Sequence, residues 1–225
     1  MDGSVANMRR LGPPRSGIAE RIWNAARLEF SRRGYHGARV QGIARGAACN
    51  VALIYRHWSS KKALYLDILR SVWLEAAAEI AEVVEHGPGG AAAVVEAYLD
   101  AMMKDQMGAQ LLIREYLDGA PHLAQLAGDD PSLLEPVRRA AAAIALADGR
   151  GGGIGVGIDP VLAVVTVGGL AALLASAQEA SRPFMETPLP PETWRRHVHE
   201  LLLHGLAPGG RRAQTNGSGA AATLL

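Results

Sequence analysis

The chain has 225 residues, 49% of them hydrophobic and 5% aromatic, enough for a sizeable core in one large domain or two smaller ones. Scarce aromatics beside abundant Ala and Leu favour helix-on-helix packing over a sheet sandwich, and the single cysteine, Cys49, excludes an intramolecular disulfide framework and fits a reducing cytoplasm. The net charge of +1 conceals a split: residues 1–62 carry twelve Lys/Arg against three Asp/Glu (+9), and the remainder carries eleven against nineteen (−8). A basic end on an acidic body is the electrostatic outline of a protein that sets one end on a polyanion; a solvated basic face without a partner is the alternative.

Residues 1–15 are polar, contain Arg9, Arg10, Pro13 and Pro14, and lack the apolar stretch of a secretion signal. They are expected to form a disordered basic arm. A first helix is predicted over about 16–33, with Ser16 as N-cap and Ile18, Ile22, Ala25, Ala26 and Phe30 at helical spacing. Arg32 and Arg33 fall in its last turn and Gly34 just beyond, as helix ends prefer. Two short apolar segments follow, 40–47 and 51–58. Ser59-Ser60-Lys61-Lys62 then reads as the cap of a long helix to about residue 85, stopped by His86-Gly87-Pro88-Gly89-Gly90.

Two helices too short to be stable alone, joined by a tight turn and backed by an earlier helix, have the layout of a helix-turn-helix. Ile43, Ala44 and Ala47 would face inward from the first, Ile54 and Trp58 from the second, with Asn50 as the second helix's cap. Val51, Leu53, Tyr55 and Arg56 are left with their sides or tips free for DNA. A generic pair of core helices explains the apolar positions equally well, but not the basic positions around them.

Ile22…Ala25-Ala26…Phe30…Arg33-Gly34-Tyr35…Val40…Ile43-Ala44…Ile54-Tyr55-Arg56-His57-Trp58…Ser60-Lys61-Lys62-Ala63-Leu64 resembles the N-terminal signature of TetR-family repressors. The resemblance covers about a quarter of the chain. It implies that Tyr55, His57 and Lys61 touch phosphates, for which a phenol, an imidazole and an ammonium at a helix N-terminus are suited. Three departures stand out. Ala48 replaces a usual turn Gly, so the turn closes without a left-handed residue or at some strain. Val51 and Leu53 stand where Lys and Thr are common, favouring apolar contacts such as thymine methyls. Arg39 replaces a small hydroxyl residue and supplies a longer reach. The candidate DNA-contacting set is Arg39, Val40, Gln41, Asn50, Val51, Ala52, Leu53, Tyr55, Arg56, His57 and Lys61.

Beyond residue 62, helices are predicted over about 91–107, 110–117, 133–146, 160–178 and 191–206, with the glycine run 149–157 as a flexible connector and residues 208–225 as a disordered tail. The expectation is an all-α chain of about nine helices: a head over 16–62 and an effector-binding, dimerising body over 63–207. Residues 161–174 are apolar on every side. No Lys/Arg anchors or aromatic belt flank them and Gly168-Gly169 interrupts them, so burial in the core and in a second subunit is preferred to a membrane span. With 191–206 (Trp194, Val198, Leu201, Leu202), this segment resembles the two-helix share of the family's four-helix dimer interface. A homodimer matches a palindromic operator on double-stranded DNA.

A small-molecule effector would sit between the middle helices, lined by Tyr98, Met102, Met103, Leu111 and Tyr116, with Arg114 or His122 as polar anchor; ordinary core packing is the competing reading. The long helix 61–85 would be the lever. No cofactor is implied: the glycine run lacks a G-x-G-x-x-G register, and no nucleophile–base pair stands out. His197, Glu200 and His204 form a loose constellation better read as structural than as a metal site. Cys49 reads as a small hydrophobe. The runner-up to a cytoplasmic repressor is a ligand- or partner-binding helical protein with a vestigial head, for which Val51 and Leu53 speak.

Overall fold

A computed structural model describes residues 17–86, 90–146, 158–187 and 189–206. The basic arm, the glycine-rich connector and the tail lie outside these. The described residues form ten α-helices. The head holds α1 (Gly17–Gly37), α2 (Val40–Gly46) and α3 (Val51–His57). Next come α4 (Lys61–His86), α5 (Gly90–Lys104), α6 (Gln106–Leu117), α7 (Pro121–Asp129), α8 (Glu135–Leu146), α9 (Pro160–Ser181) and α10 (Pro191–Leu206).

In the head, Ile22, Ala26 and Phe30 of α1 close on Val40, Ile43 and Ala44 of α2 and on Ile54 of α3, each under a tenth exposed. This shared burial stabilises two seven-residue helices that could not persist in water by themselves. Their ends are fixed locally: Leu53 N–H donates to Asn50 Oδ1 at 2.9 Å, and Ala63 N–H donates to Ser60 Oγ at 3.0 Å. The Trp58 indole N–H reaches Asp67 Oδ2 at 3.0 Å and ties the exit of α3 to α4. The turn between α2 and α3 resolves the question raised by Ala48. That residue sits at φ 50°, in the left-handed region, so the turn closes with strain.

The body packs α9 against α5, α6 and α8, with α4 bracing α5 and α8. α7 departs from the nine-helix expectation. It is short, and its start depends on groups distant in sequence. Ala120 turns left-handed at φ 56°, Pro121 occupies the first turn, and the Glu115 carboxylate caps the free backbone N–H groups of His122 (2.6 Å) and Leu123 (3.1 Å).

Head and body meet along α1 and α6. α1 is broken at Gly34 (φ 67°, ψ 179°), a conformation that favours glycine. Just before the break, Arg114 of α6 donates to two α1 carbonyls: Nε to Ser31 O at 2.7 Å and Nη2 to Arg32 O at 2.8 Å. At the other end of α6, Asp105 caps the helix through Gly108 N–H and pairs with Arg27 of α1.

Candidate nucleic-acid interface and effector cleft

The helix-turn-helix turns the polar residues of its second helix outward. Ala52, Tyr55, Arg56 and His57 on α3 are exposed, as are Asn50 before it and Arg39 and Gln41 at the start of α2. Tyr55 is 48% exposed, so about half of the residue is open to solvent. Val51 and Leu53 are half-buried, Val51 packing on the core. Val40 is a core residue, leaving little of its side chain to offer a partner. Lys61 lies at the start of α4, half-buried, donating to Ala38 O at 2.9 Å and standing 4.6 Å over the Tyr35 ring. An ammonium has three protons, so a further anion can still be met there. Cys49 is half-buried and packs against the head core as a small hydrophobe does.

Charge pairing differs between the two ends of the molecule, although Arg196 of the body is also exposed and unpaired among the described residues. In the body, Arg70 pairs with Asp130, Lys104 with Glu79, Arg139 with Glu85 and Glu135, and Arg195 with Asp100 and Glu96. In the head, Arg27 is held by Asp105 and Arg33 by Glu29, and Arg21 donates to Ala47 O. Arg32, Arg39, Arg45, Arg56 and Lys62, by contrast, make no side-chain hydrogen bond or ion pair among the described residues, and all five are exposed. A carboxylate close by would neutralise such a surface; here the field is left for an external anion.

The profile of the bacterial regulatory proteins of the tetR family matches residues 22–68, which span α1, both short helices and the start of α4. Over this stretch the chain is similar to the tetR family's DNA-binding region. It is similar to the HTH-type transcriptional repressor SCO4008 of Streptomyces coelicolor, with 38% identity over 60 residues, 27% of this chain and 31% of that one. It is also similar to the HTH-type transcriptional regulator RutR of Escherichia coli O157:H7, with 30% identity over 125 residues, 51% of this chain and 55% of that one. The matches thus span about a third and about half of those relatives' lengths. The fold extends further: the transcriptional regulator FadR of Bacillus subtilis, solved in complex with stearoyl-CoA, superposes with TM-score 0.56 at 18% identity over 82% of this chain and 97% of its own.

In the helical body, a narrow cleft opens between α4, α5, α6, α8 and α9. Three of the candidate ligand residues, Tyr98, Met102 and Tyr116, line it, joined by Trp73, Val164 and Gly168. Met103, Leu111, Arg114 and His122 are placed elsewhere. Leu111 is wholly buried in the core, and Arg114 is committed to α1. His122 is buried at the head–body junction, its Nδ1 3.1 Å from Glu115 Oε2 and its ring 4.4 Å from Tyr35. Glu115 also accepts the Tyr65 hydroxyl at 2.9 Å. Sequence reading missed Trp73, although Trp73, Ala76, Ala77 and Ile80 form a helical stripe on α4 that announces a buried face. Burial raises the phenol pKa of both Tyr98 and Tyr116, and for Tyr98 the neighbouring Tyr116 adds to the rise. Among the described side chains no group of three His, Cys, Asp or Glu could hold a metal; the His204 side chain lies outside them.

Proposed function

We propose that this protein is a cytoplasmic transcriptional repressor that binds a palindromic operator as a homodimer and is released by a small-molecule effector. The observation that carries the reading is the contrast in charge pairing: five uncommitted cations on or beside a helix-turn-helix whose second helix presents Tyr55, Arg56 and His57 to solvent. Phosphate contacts from such groups set register and orientation, while Gln41, Ala52 and Leu53 are candidates for base edges.

The dimer is supported by apolar surface that one chain leaves uncovered. On α9, Leu162, Leu170 and Leu173 are 62%, 37% and 46% exposed and, with exposed Thr166, follow helical spacing along one stripe. On α10, Leu201 is 63% exposed while Val198 and Leu202 point into the core. Residues 160–177 are long and apolar enough to cross a membrane, with a third of them buried. Their packing onto α5, α6, α8 and α10 in one helical body supports coverage by a second subunit instead.

Release is supported by α6, which contributes Leu112 and Tyr116 to the cleft and grips α1 through Asp105 and Arg114. A ligand that displaces α6 therefore re-aims the head, with α4 as the connecting lever. The direct test is fluorescence anisotropy with duplex DNA from upstream of the protein's own gene. Affinity should fall steeply between about 50 and 200 mM salt. The double variant Tyr55→Phe, Arg56→Ala should bind at least tenfold more weakly. Salt-independent binding, or a variant as tight as wild type, overturns the reading.

A further inference from the structure

The chemistry of the cleft narrows what it can hold; this inference rests on the ligand-responsive reading above. Apart from two tyrosines, none of its thirteen lining residues is ionisable. The indole N–H of Trp73 is already spent on Leu133 O at 2.7 Å, so that ring offers the cleft apolar surface. No hydrogen bond to the hydroxyl of Tyr98 or Tyr116 is formed among the described residues, and both side chains line the same cleft. Both phenols are neutral at physiological pH as any ordinary phenol is, and burial raises their pKa further. They are therefore ready O–H donors inside an apolar wall.

The shape is equally restrictive. The cleft takes in about 490 Å³ of space, its open mouth included, so it is an open slot and not a closed chamber. Gly168 sets one wall: a Cβ there would lie 3.0 Å from Tyr98 Cε1, so the Tyr98 ring rests against the α9 backbone.

We infer that the slot takes an uncharged, flat, largely apolar molecule carrying a hydrogen-bond acceptor, which the Tyr98 and Tyr116 hydroxyls engage. A charged ligand would lose its hydration with no counter-ion in the wall. An anionic thioester such as the stearoyl-CoA held by the B. subtilis fold relative would find no cation there for its phosphates. Three aromatic side chains could attract a quaternary ammonium, but the other ten lining residues are aliphatic, glycine or the thioether Met102, and none is a carboxylate.

Two probes of one skeleton isolate the acceptor: benzophenone and diphenylmethane, titrated by calorimetry into the full-length protein. Benzophenone should bind at one per protomer and about five- to tenfold more tightly than diphenylmethane, the gain of a net hydrogen bond. In the double variant Tyr98→Phe, Tyr116→Phe, which keeps both rings and so the packing, that difference should vanish while diphenylmethane binds within about twofold of wild type. Failure of both probes to bind, a difference that survives the double variant, or tighter binding of choline or stearoyl-CoA than of benzophenone overturns the inference. None of these titrations involves DNA, so a chain that never binds an operator would fail the regulatory reading and leave this result standing.

Discussion

Arg114 of α6 donates through Nε to the Ser31 carbonyl of α1 at 2.7 Å, joining body to head where Gly34 interrupts α1. With Nη2 on Arg32 O, the planar guanidinium caps two carbonyls at once, a geometry that a lysine cannot reproduce. Together with Arg27–Asp105 it fixes α1 to α6 at both ends of α6.

Arg114→Ala should therefore cost about 1–2 kcal/mol in urea unfolding, at the lower end for charge-assisted bonds because the side chain is partly in water. Arg114→Lys should recover less than half of that loss. If the alanine variant unfolds with wild type, the clamp is idle.

The strained turn offers the opposite sign. Ala48 is exposed at φ 50°, so Ala48→Gly relieves the left-handed penalty and concedes part of it to a more flexible unfolded chain. A net gain of about 0.5–1 kcal/mol is expected by thermal melting, with DNA affinity unchanged because nothing is added at the α3 surface.

Alkaline pH should unfold the protein early. Tyr65 is 1% exposed, and its phenol is held well above its ordinary pKa by burial and by the carboxylate of Glu115. The unfolded chain sheds this proton near pH 10 while the folded chain keeps it, so above that pH the unfolded state binds fewer protons and stability falls as pH rises. Each such group contributes a slope of about 1.4 kcal/mol per pH unit, and Tyr98 and Tyr116 share the direction. Between pH 10 and 11.5, Tyr65→Phe should start less stable but lose stability with a shallower slope. Parallel slopes for the two proteins would refute the assignment.

The uncovered stripe of α9 predicts a mass. Sedimentation should give twice 23.7 kDa for the wild-type chain. Leu170→Glu with Leu173→Glu, both at exposed positions, should yield a folded monomer with operator affinity reduced at least a hundredfold, since two heads no longer add their contacts. A wild-type monomer that still binds the operator would remove the dimer from the mechanism.

The head was legible in the amino-acid order because its determinants are local. Asn50 three residues before Leu53 and Ser60 three before Ala63 are caps read directly from spacing, and the inward faces of α1, α2 and α3 follow the helical period. α7 escaped because its cap, Glu115, lies seven residues before His122 and beyond a left-handed Ala120, a relation no short-range signal encodes. The cleft was half legible: period placed Tyr98, Met102 and Tyr116 inward, but period says only that a side chain is covered, not by what.

Arg114 and His122 show where that limit lies. Both have the chemistry of a ligand anchor, and the tertiary structure commits one to the broken end of α1 and the other to a buried carboxylate. The sequence by itself determined a basic helix-turn-helix, an all-helical body and an apolar α9, since each follows from residue type and spacing along one helix. Only the tertiary structure decided which cations remain free and which polar groups face the cleft, because a charge or a hydroxyl acquires its role from distant partners, as Arg114 does from Ser31, 83 residues away.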